Sequence, residues 1–185
     1  MTRPFFAGIG SRKIIELHPE LKPVMAAMAK CLVSLGFVLR SGGAIGCDQW
    51  FEAGVPNEED KEIFYSKKCP PGKDPKFYTV DQKALDLAEK IHPAWHKMED
   101  WGRGLHARNT YQVLGRDHDQ PVEFVLCWTL NGAAEGGTRT AIVLAKQNDI
   151  PVFNLGSVTD GDYVMAFERF MLMQGYSVNL NDFLT

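Results

Sequence analysis

Short apolar runs and longer segments with helical spacing alternate along this chain. The runs predict five β-strands, at residues 3–7, 37–39, 62–65, 122–128 and 151–155. Segments whose apolar positions recur three and four residues apart predict helices at residues 20–35, 79–91, 101–114, 138–147 and 161–173. Alternating strands and helices with short links predict an α/β fold, a single-domain Rossmann-like open parallel sheet flanked by helices on both faces over residues 1–185.

Some segments refine this picture. The strand at 122–128 is apolar nearly throughout, which is typical of a central parallel strand. Residues 66–76 are rich in proline and lysine and predict a loop, which is either plain solvated surface or within reach of an anionic ligand. The tail at 176–185 fits either an edge strand or irregular structure.

Several glycines lie in the loops that connect predicted strands to the helices that follow them. Residues 41–48 read Ser-Gly-Gly-Ala-Ile-Gly-Cys-Asp and lie between the strand at 37–39 and a short helix that runs to about Ala53. The first N–H groups of a helix have no backbone partner and carry partial positive charge, and glycine lets a ligand approach the backbone closely. The turn therefore favours a phosphate, although a tight turn that binds nothing has the same composition.

Two other strand ends carry similar residues. Gly8 to Arg12 follows the first strand, and residues 129–138 follow the fourth. Because ligands of open parallel sheets bind outside the carboxyl ends of the strands, we expect all three loops to face one crevice. The hydroxyls of Ser11, Ser41 and Thr138 can donate to phosphate oxygens, and Arg12 and Arg108 can supply guanidinium forks.

Four motifs together resemble the SLOG superfamily, which includes DprA/Smf-like and LOG lysine-decarboxylase-like Rossmann proteins. They are Gly10-Ser11-Arg12, Ser41 to Asp48, Arg108-Asn109 and Gly136-Gly137-Thr138, in the order and spacing of that group. The resemblance covers nearly the whole chain and implies a nucleotide or nucleic-acid phosphate held by residues 41–46, with Arg108-Asn109 beside it. The DprA-like branch implies binding of single-stranded DNA and self-association, as a homodimer or larger homo-oligomer.

The predicted ligand-binding set combines these motifs with a tryptophan at the end of the fourth strand. It comprises Gly10, Ser11, Arg12, Ser41, Gly42, Gly43, Ala44, Gly46, Asp48, Arg108, Asn109, Trp128, Gly136, Gly137 and Thr138. Two members have alternative roles. Trp128 either stacks on a base or packs in the core, and Asp48 either caps its helix or accepts from a ribose hydroxyl.

Two functions follow from this set. The first is a binding module that captures a nucleotide, a nucleotide-derived signal or single-stranded nucleic acid without chemistry. The alternative, implied by the LOG branch, is an enzyme that cleaves the N-glycosidic bond of a nucleoside 5′-monophosphate. Its carboxylate would be Glu52 or Glu135, although Glu52 also fits a solvated helix residue. A structural oligomer with idle loops is a third hypothesis.

Composition narrows the class of protein. A net charge of −3 argues against electrostatic coating of duplex DNA, and no apolar run approaches the ~20 residues of a membrane span. The N-terminus is too short and too soon interrupted for a signal peptide, which predicts a cytoplasmic protein. The four cysteines are scattered and predict reduced thiols. No cofactor or metal is expected, because Pro93 breaks the helix that would align His92 with His96.

Overall fold

The computed structural model describes residues 3–66 and 79–184. Its strands are β1 (Phe5–Gly10), β2 (Val38–Ser41), β3 (Lys61–Ile63), β4 (Phe124–Trp128) and β5 (Val152–Asn154). Its helices are α1 (Ile14–Leu17), α2 (Leu21–Ser34), α3 (Cys47–Glu52), α4 (Gln82–Ile91), α5 (Asp100–Leu114), α6 (Arg139–Gln147) and α7 (Tyr163–Met173). Most of the predicted lysine-rich loop, with Cys69, lies outside the described residues.

The strands form one sheet in the order β3-β2-β1-β4-β5, and every pairing is parallel. β1 is central and pairs with β2 on one side and with β4 on the other, where Gly10 lies opposite Trp128. The chain builds outward from β1 to β3 and then crosses to the far side for β4. The switch point therefore lies between the carboxyl ends of β1 and β4, where open α/β sheets bind ligands.

Helices cover both faces of the sheet, as predicted. Strand residues alternate in direction, so Phe6, Leu39 and Leu126 enter one core with α2, α3 and α7. Ala7 and Val125 enter a second core with α5 and α6. Each central strand is buried on both sides, which confirms the open α/β architecture and explains the continuous apolar run of β4.

Three strand and tail predictions needed correction or refinement. β1 continues to Gly10 rather than ending at Ala7, because its last residues pair with β4. A Cβ at Gly8 would lie 2.8 Å from Leu39 Cδ1 and from Phe51 Cγ, so glycine permits this packing. The third strand is Lys61–Ile63, slightly earlier than predicted. The tail is irregular, with a 3-10 turn at Leu180–Phe183.

Candidate functional site

The turn between β2 and α3 follows a path that requires glycine at two places. Gly43 has φ 63° and Gly46 has φ 103°, both in the left-handed region. A Cβ at Gly46 would lie 3.0 Å from Arg12 Cα and 3.2 Å from the Ser11 carbonyl oxygen. The first and second loops therefore touch, and the small size of Gly46 permits this contact.

The buried Asp48 side chain stabilises the conformation of this turn. Its buried carboxylate accepts a hydrogen bond from the Gly42 N–H at 3.0 Å. Burial raises the pKa of Asp48, while the Arg108 guanidinium and hydrogen bonds from the backbone of Gly42, Ala44 and Gly10 oppose the rise. The N-cap of α3 is Gly46, without a side-chain cap. The Asp48 side chain therefore reaches back into the turn instead of capping its own helix.

Arg108 stabilises the turn through hydrogen bonds to backbone carbonyl oxygens. Its guanidinium donates to the carbonyl oxygens of Gly42 and, at 3.2 Å, of Phe64. The side chain is 6% exposed and its Nε has no hydrogen-bond partner within the described chain. Burial lowers the pKa of Arg108, and the neighbouring Asp48 and Glu52 carboxylates oppose this. In this conformation Arg108 fixes backbone carbonyls and does not present its fork to the crevice.

Glu52 and Ser41 form a second polar pair beside the turn. The Ser41 hydroxyl donates to Glu52 Oε1 at 2.8 Å, and Ser41 is fully buried while Glu52 is half-buried. Burial raises the pKa of Glu52, and the Asp48 charge adds to the rise, whereas the Ser41 hydrogen bond opposes it. A partly buried carboxyl with a raised pKa keeps its proton to a higher pH than a solvent-exposed carboxyl does.

The first loop is tied to β4 but leaves its arginine exposed. The Ser11 N–H donates to the Trp128 carbonyl oxygen at 3.0 Å, and the Cys47 thiol donates to the Ser11 carbonyl oxygen at 3.2 Å. The Ser11 hydroxyl accepts from the Lys13 N–H at 3.2 Å. Arg12 is exposed, and its side chain makes no hydrogen bond or ion pair with the residues that the structure describes. Its guanidinium is available at the switch point.

The third loop forms an open backbone surface. Gly136–Thr138 make one 3-10 turn that contacts β1 and α5, and the Asn109 amide donates to the Gly137 carbonyl oxygen at 2.6 Å. Gly136 and Gly137 are exposed, and no described heavy atom lies within 4 Å of a Cβ built on either. Thr138 is buried. The turn is held from the α5 side and its glycines face open space.

Two predicted site residues lie apart from this arrangement. Trp128 is 2% exposed and packs in the core, with its ring 5.6 Å from the His18 ring, so the core alternative describes it here. Glu135 is exposed in the third loop, directly before the Gly136–Thr138 turn, with the β2–α3 turn and Glu52 elsewhere on the edge. Among the described residues, no group of three or more histidine, cysteine, aspartate or glutamate side chains is arranged to hold a metal ion.

Two amides near the site, the buried Gln112 and the partly buried Asn154, were missed from the sequence. Gln112 is 1% exposed, and both polar atoms of its side chain lack a partner in the described chain. Its Nε2 would lie 2.4 Å from a Cβ on Gly42, and its spacing of four from Arg108 was the available signal. Asn154 donates to Thr129 Oγ1 at 2.6 Å and accepts from the Thr129 N–H at 3.1 Å. Asn154 therefore fixes the start of the third loop.

The chain is similar in fold to DNA processing protein A. A solved structure of that protein from Helicobacter pylori, described as showing a unique single-stranded DNA binding mode, matches 99% of this chain and 79% of that chain. The TM-score is 0.55 and the sequence identity is 17%, a likeness that shows the fold alone. No protein-family model and no curated protein matches the sequence.

Three loops from three strands thus meet at one edge of the sheet. Gly46 contacts the first loop, and α5 links the second loop to the third, because Arg108 donates to Gly42 and Asn109 donates to Gly137. The accessible groups on that surface include the Arg12 guanidinium and the Gly136-Gly137 backbone. Within the described chain, no helix is long and apolar enough to cross a bilayer. The predicted cytoplasmic location and self-association stay predictions.

Proposed function

We propose that the carboxyl edge of the sheet binds the phosphate of a nucleotide, a nucleotide-derived signal or a single-stranded nucleic acid, without chemistry. The observation that carries this proposal is the open Gly136-Gly137 turn, which packs beside the end of β1 and is fixed through Asn109. Phosphate oxygens bind backbone N–H groups that glycine leaves accessible, and an exposed arginine adds a fork-shaped cation.

Two further observations support the proposal. The surface lies at the switch point between β1 and β4, the usual ligand position in open parallel sheets. The fold is similar to that of a protein described as binding single-stranded DNA. Because the net charge of the chain is −3, its overall electrostatic field does not attract an anionic ligand. Affinity for such a ligand would therefore come from local contacts at this edge of the sheet.

A glycine substitution gives the sharpest test. Gly137→Ala adds a methyl group into open space at a residue with ordinary backbone geometry, so the fold is retained while a phosphate is kept away from the backbone. We expect binding of a fluorescent oligothymidylate, or of AMP in competition, to weaken about tenfold, which is the scale of one charge-assisted hydrogen bond. The measurement is fluorescence anisotropy at low salt.

Gly104→Ala is the matched control, because its added Cβ also meets only ordinary contacts, with the Ser66 carbonyl oxygen at 3.8 Å. Its affinity should equal that of the wild type. Arg12→Ala should reduce the slope of log K against log salt by about 0.7 if Arg12 contacts one phosphate of a single strand. Absence of binding by oligonucleotide and mononucleotide at low salt, or equal losses in Gly137→Ala and Gly104→Ala, would remove the proposal.

The second candidate function is hydrolysis of the N-glycosidic bond of a nucleoside 5′-monophosphate. The pairing of Ser41 with Glu52, whose pKa is raised, favours it over an idle carboxylate. In this reaction water adds to the sugar carbon and the base leaves with a proton, giving free base and ribose 5-phosphate. Chromatography of AMP and dAMP after incubation should then show free base with wild type and with Glu135→Gln, but not with Glu52→Gln.

A further inference from the structure

A groove runs along the open edge of the sheet beside β5 and reaches Gly132 of the third loop at one end. β5 pairs with β4 on one side and, among the described strands, has no neighbour on the other. The groove has a volume of about 420 Å³, within the ~300–1,000 Å³ range of ligand clefts. α6 on one face of the sheet and α7 on the other form its walls. Its apolar lining includes Ile142, Phe153, Phe170 and Met173.

The apolar surface extends from the groove along α7. Met173 is 75% exposed, and Leu172 and Met165 are 66% and 45% exposed. Together with Arg169 these residues recur at helical spacing, so they share one side of α7. Exposed apolar side chains that form one continuous surface with a polar rim are typical of interaction sites.

Two cations border the groove, Lys146 from α6 and Arg169 from α7. Both are exposed, and neither makes an ion pair or hydrogen bond in the part of the chain that the structure describes. Several other arginines are paired with carboxylates, such as Arg3 with Asp60 at 2.6 Å and Arg40 with Glu62 at 2.7 Å. The groove therefore presents an apolar floor between two unneutralised positive charges.

The two positive charges beside an apolar floor indicate which kind of molecule would bind in the groove. A symmetric contact between two copies of the chain would place the same patch on both sides, and would bring the Lys146 and Arg169 charges of one copy against those of the other. A partner with carboxylates around an apolar side chain would instead neutralise both cations and fill the cavity. The exposed edge of β5 also suits an extended segment, which can lie along a strand.

We infer that this groove docks a short acidic and apolar peptide segment of a partner protein. The apolar side chain packs over the paired rings of Phe153 and Phe170, and the flanking carboxylates pair with Lys146 and Arg169. The occupant differs from the proposed nucleic-acid ligand, which is itself anionic but lacks the apolar anchor and would bind at the carboxyl ends of β1 and β4. Binding at the groove would attach a partner protein to a chain that holds its own ligand elsewhere.

The test uses the full chain and a short fluorescent peptide with Leu-Phe between two pairs of aspartates. Anisotropy at low salt should show binding, and the double variant Lys146→Glu/Arg169→Glu should weaken it at least about tenfold. Both positions are exposed, so the fold is retained, which circular dichroism checks. The matched control is Lys22→Glu/Lys90→Glu, two exposed lysines on α2 and α4, which should bind like the wild type.

Two control peptides separate the contributions. Replacement of Leu-Phe by Ser-Gly should abolish binding by removing the anchor, and replacement of the aspartates by lysines should abolish it by reversing the charge. No binding of the acidic peptide, or equal binding of the lysine peptide, would overturn the inference. It would also fall if sedimentation showed a dimer that Leu172→Glu dissociates, because a second copy would then cover the groove.

Discussion

The Asp48 carboxylate accepts a hydrogen bond from the Gly42 N–H at 3.0 Å, while Arg108 donates to the carbonyl oxygen of the same Gly42. One peptide group on each side of Gly42 is thus fixed by a buried charge. Because Asp48 and Arg108 also attract each other electrostatically, the turn rests on two buried side chains of opposite charge. The shape of the turn at residues 41–48 therefore depends on buried side chains rather than on groups at its surface.

Removal of Asp48 should therefore destabilise the whole domain. Asp48→Ala leaves the Gly42 N–H and the Arg108 guanidinium buried without this partner, at a cost of about 3 kcal/mol in the free energy of unfolding. Urea denaturation measures this value. Asp48→Asn keeps an acceptor oxygen and should lose less. Asp100→Ala removes a 98% exposed carboxylate and should change the unfolding free energy by less than about 1 kcal/mol.

Glycines at the edge of the sheet should respond differently to alanine. A Cβ on Gly10 would lie 2.5 Å from Cys47 Sγ and 2.7 Å from the Trp128 carbonyl oxygen, so Gly10→Ala should cost about 3 kcal/mol through overpacking. Gly137→Ala meets open space and should leave the unfolding free energy unchanged. Thermal unfolding of both variants tests this, and similar midpoints would contradict the packing described at the β1–β4 switch point.

His106 makes stability depend on pH. It is buried, its Nδ1 lies 2.6 Å from Thr140 Oγ1, and burial lowers its pKa from 6.5 to about 4. Between these values the unfolded chain binds the proton and the folded chain does not, so this contribution is present above pH 6.5 and is lost as the pH falls towards 4. The difference between the two pKa values contributes up to about 3 kcal/mol to the free energy of unfolding.

Urea denaturation at several pH values between 4 and 7 measures the effect. His106→Gln should flatten the pH dependence, whatever it does to stability at neutral pH. His96→Gln, at an exposed position, should leave the slope unchanged. A slope that persists in His106→Gln would assign the proton uptake to other groups.

Three thiols should be inert in the folded protein. Cys31, Cys47 and Cys127 are free and buried. Burial raises the pKa of each, to about 11 for Cys31 and about 12 for Cys127. Because the thiolate is the reactive form, these side chains should react with a disulfide reagent such as DTNB only after unfolding. Rapid modification of more than one thiol of the native protein would contradict their burial.

The α/β architecture could be predicted from the sequence because buried strands and helices have regular patterns of apolar residues. The run Phe124–Trp128 is buried at every position, and its continuous apolar character predicted a central strand. The prediction of α2 at residues 20–35 differs from Leu21–Ser34 by one residue at each end. The end of β1 was missed, because Gly8 and Gly10 indicate a loop locally, whereas pairing with β4 keeps them extended.

The site was harder to predict because side-chain direction depends on tertiary contacts. Arg108 lies beside the glycine turn, yet its fork points at the carbonyl oxygens of Gly42 and Phe64, which no spacing reveals. Asp48 has a residue type and position that suit a helix cap, but the bend at Gly46 turns its carboxylate towards Gly42. Whether the predicted residues bind a ligand stays a prediction that the proposed binding experiments test.

The contact of Gly46 with Arg12 has a consequence for binding kinetics. Two loops that already touch, with the Gly42 peptide groups fixed by buried charges, form a preorganised surface before any ligand arrives. A ligand then loses its own freedom but does not have to order the protein, which removes one common cost of association. Substitutions at this edge should therefore accelerate dissociation and leave the association rate, set by diffusion and charge, nearly constant.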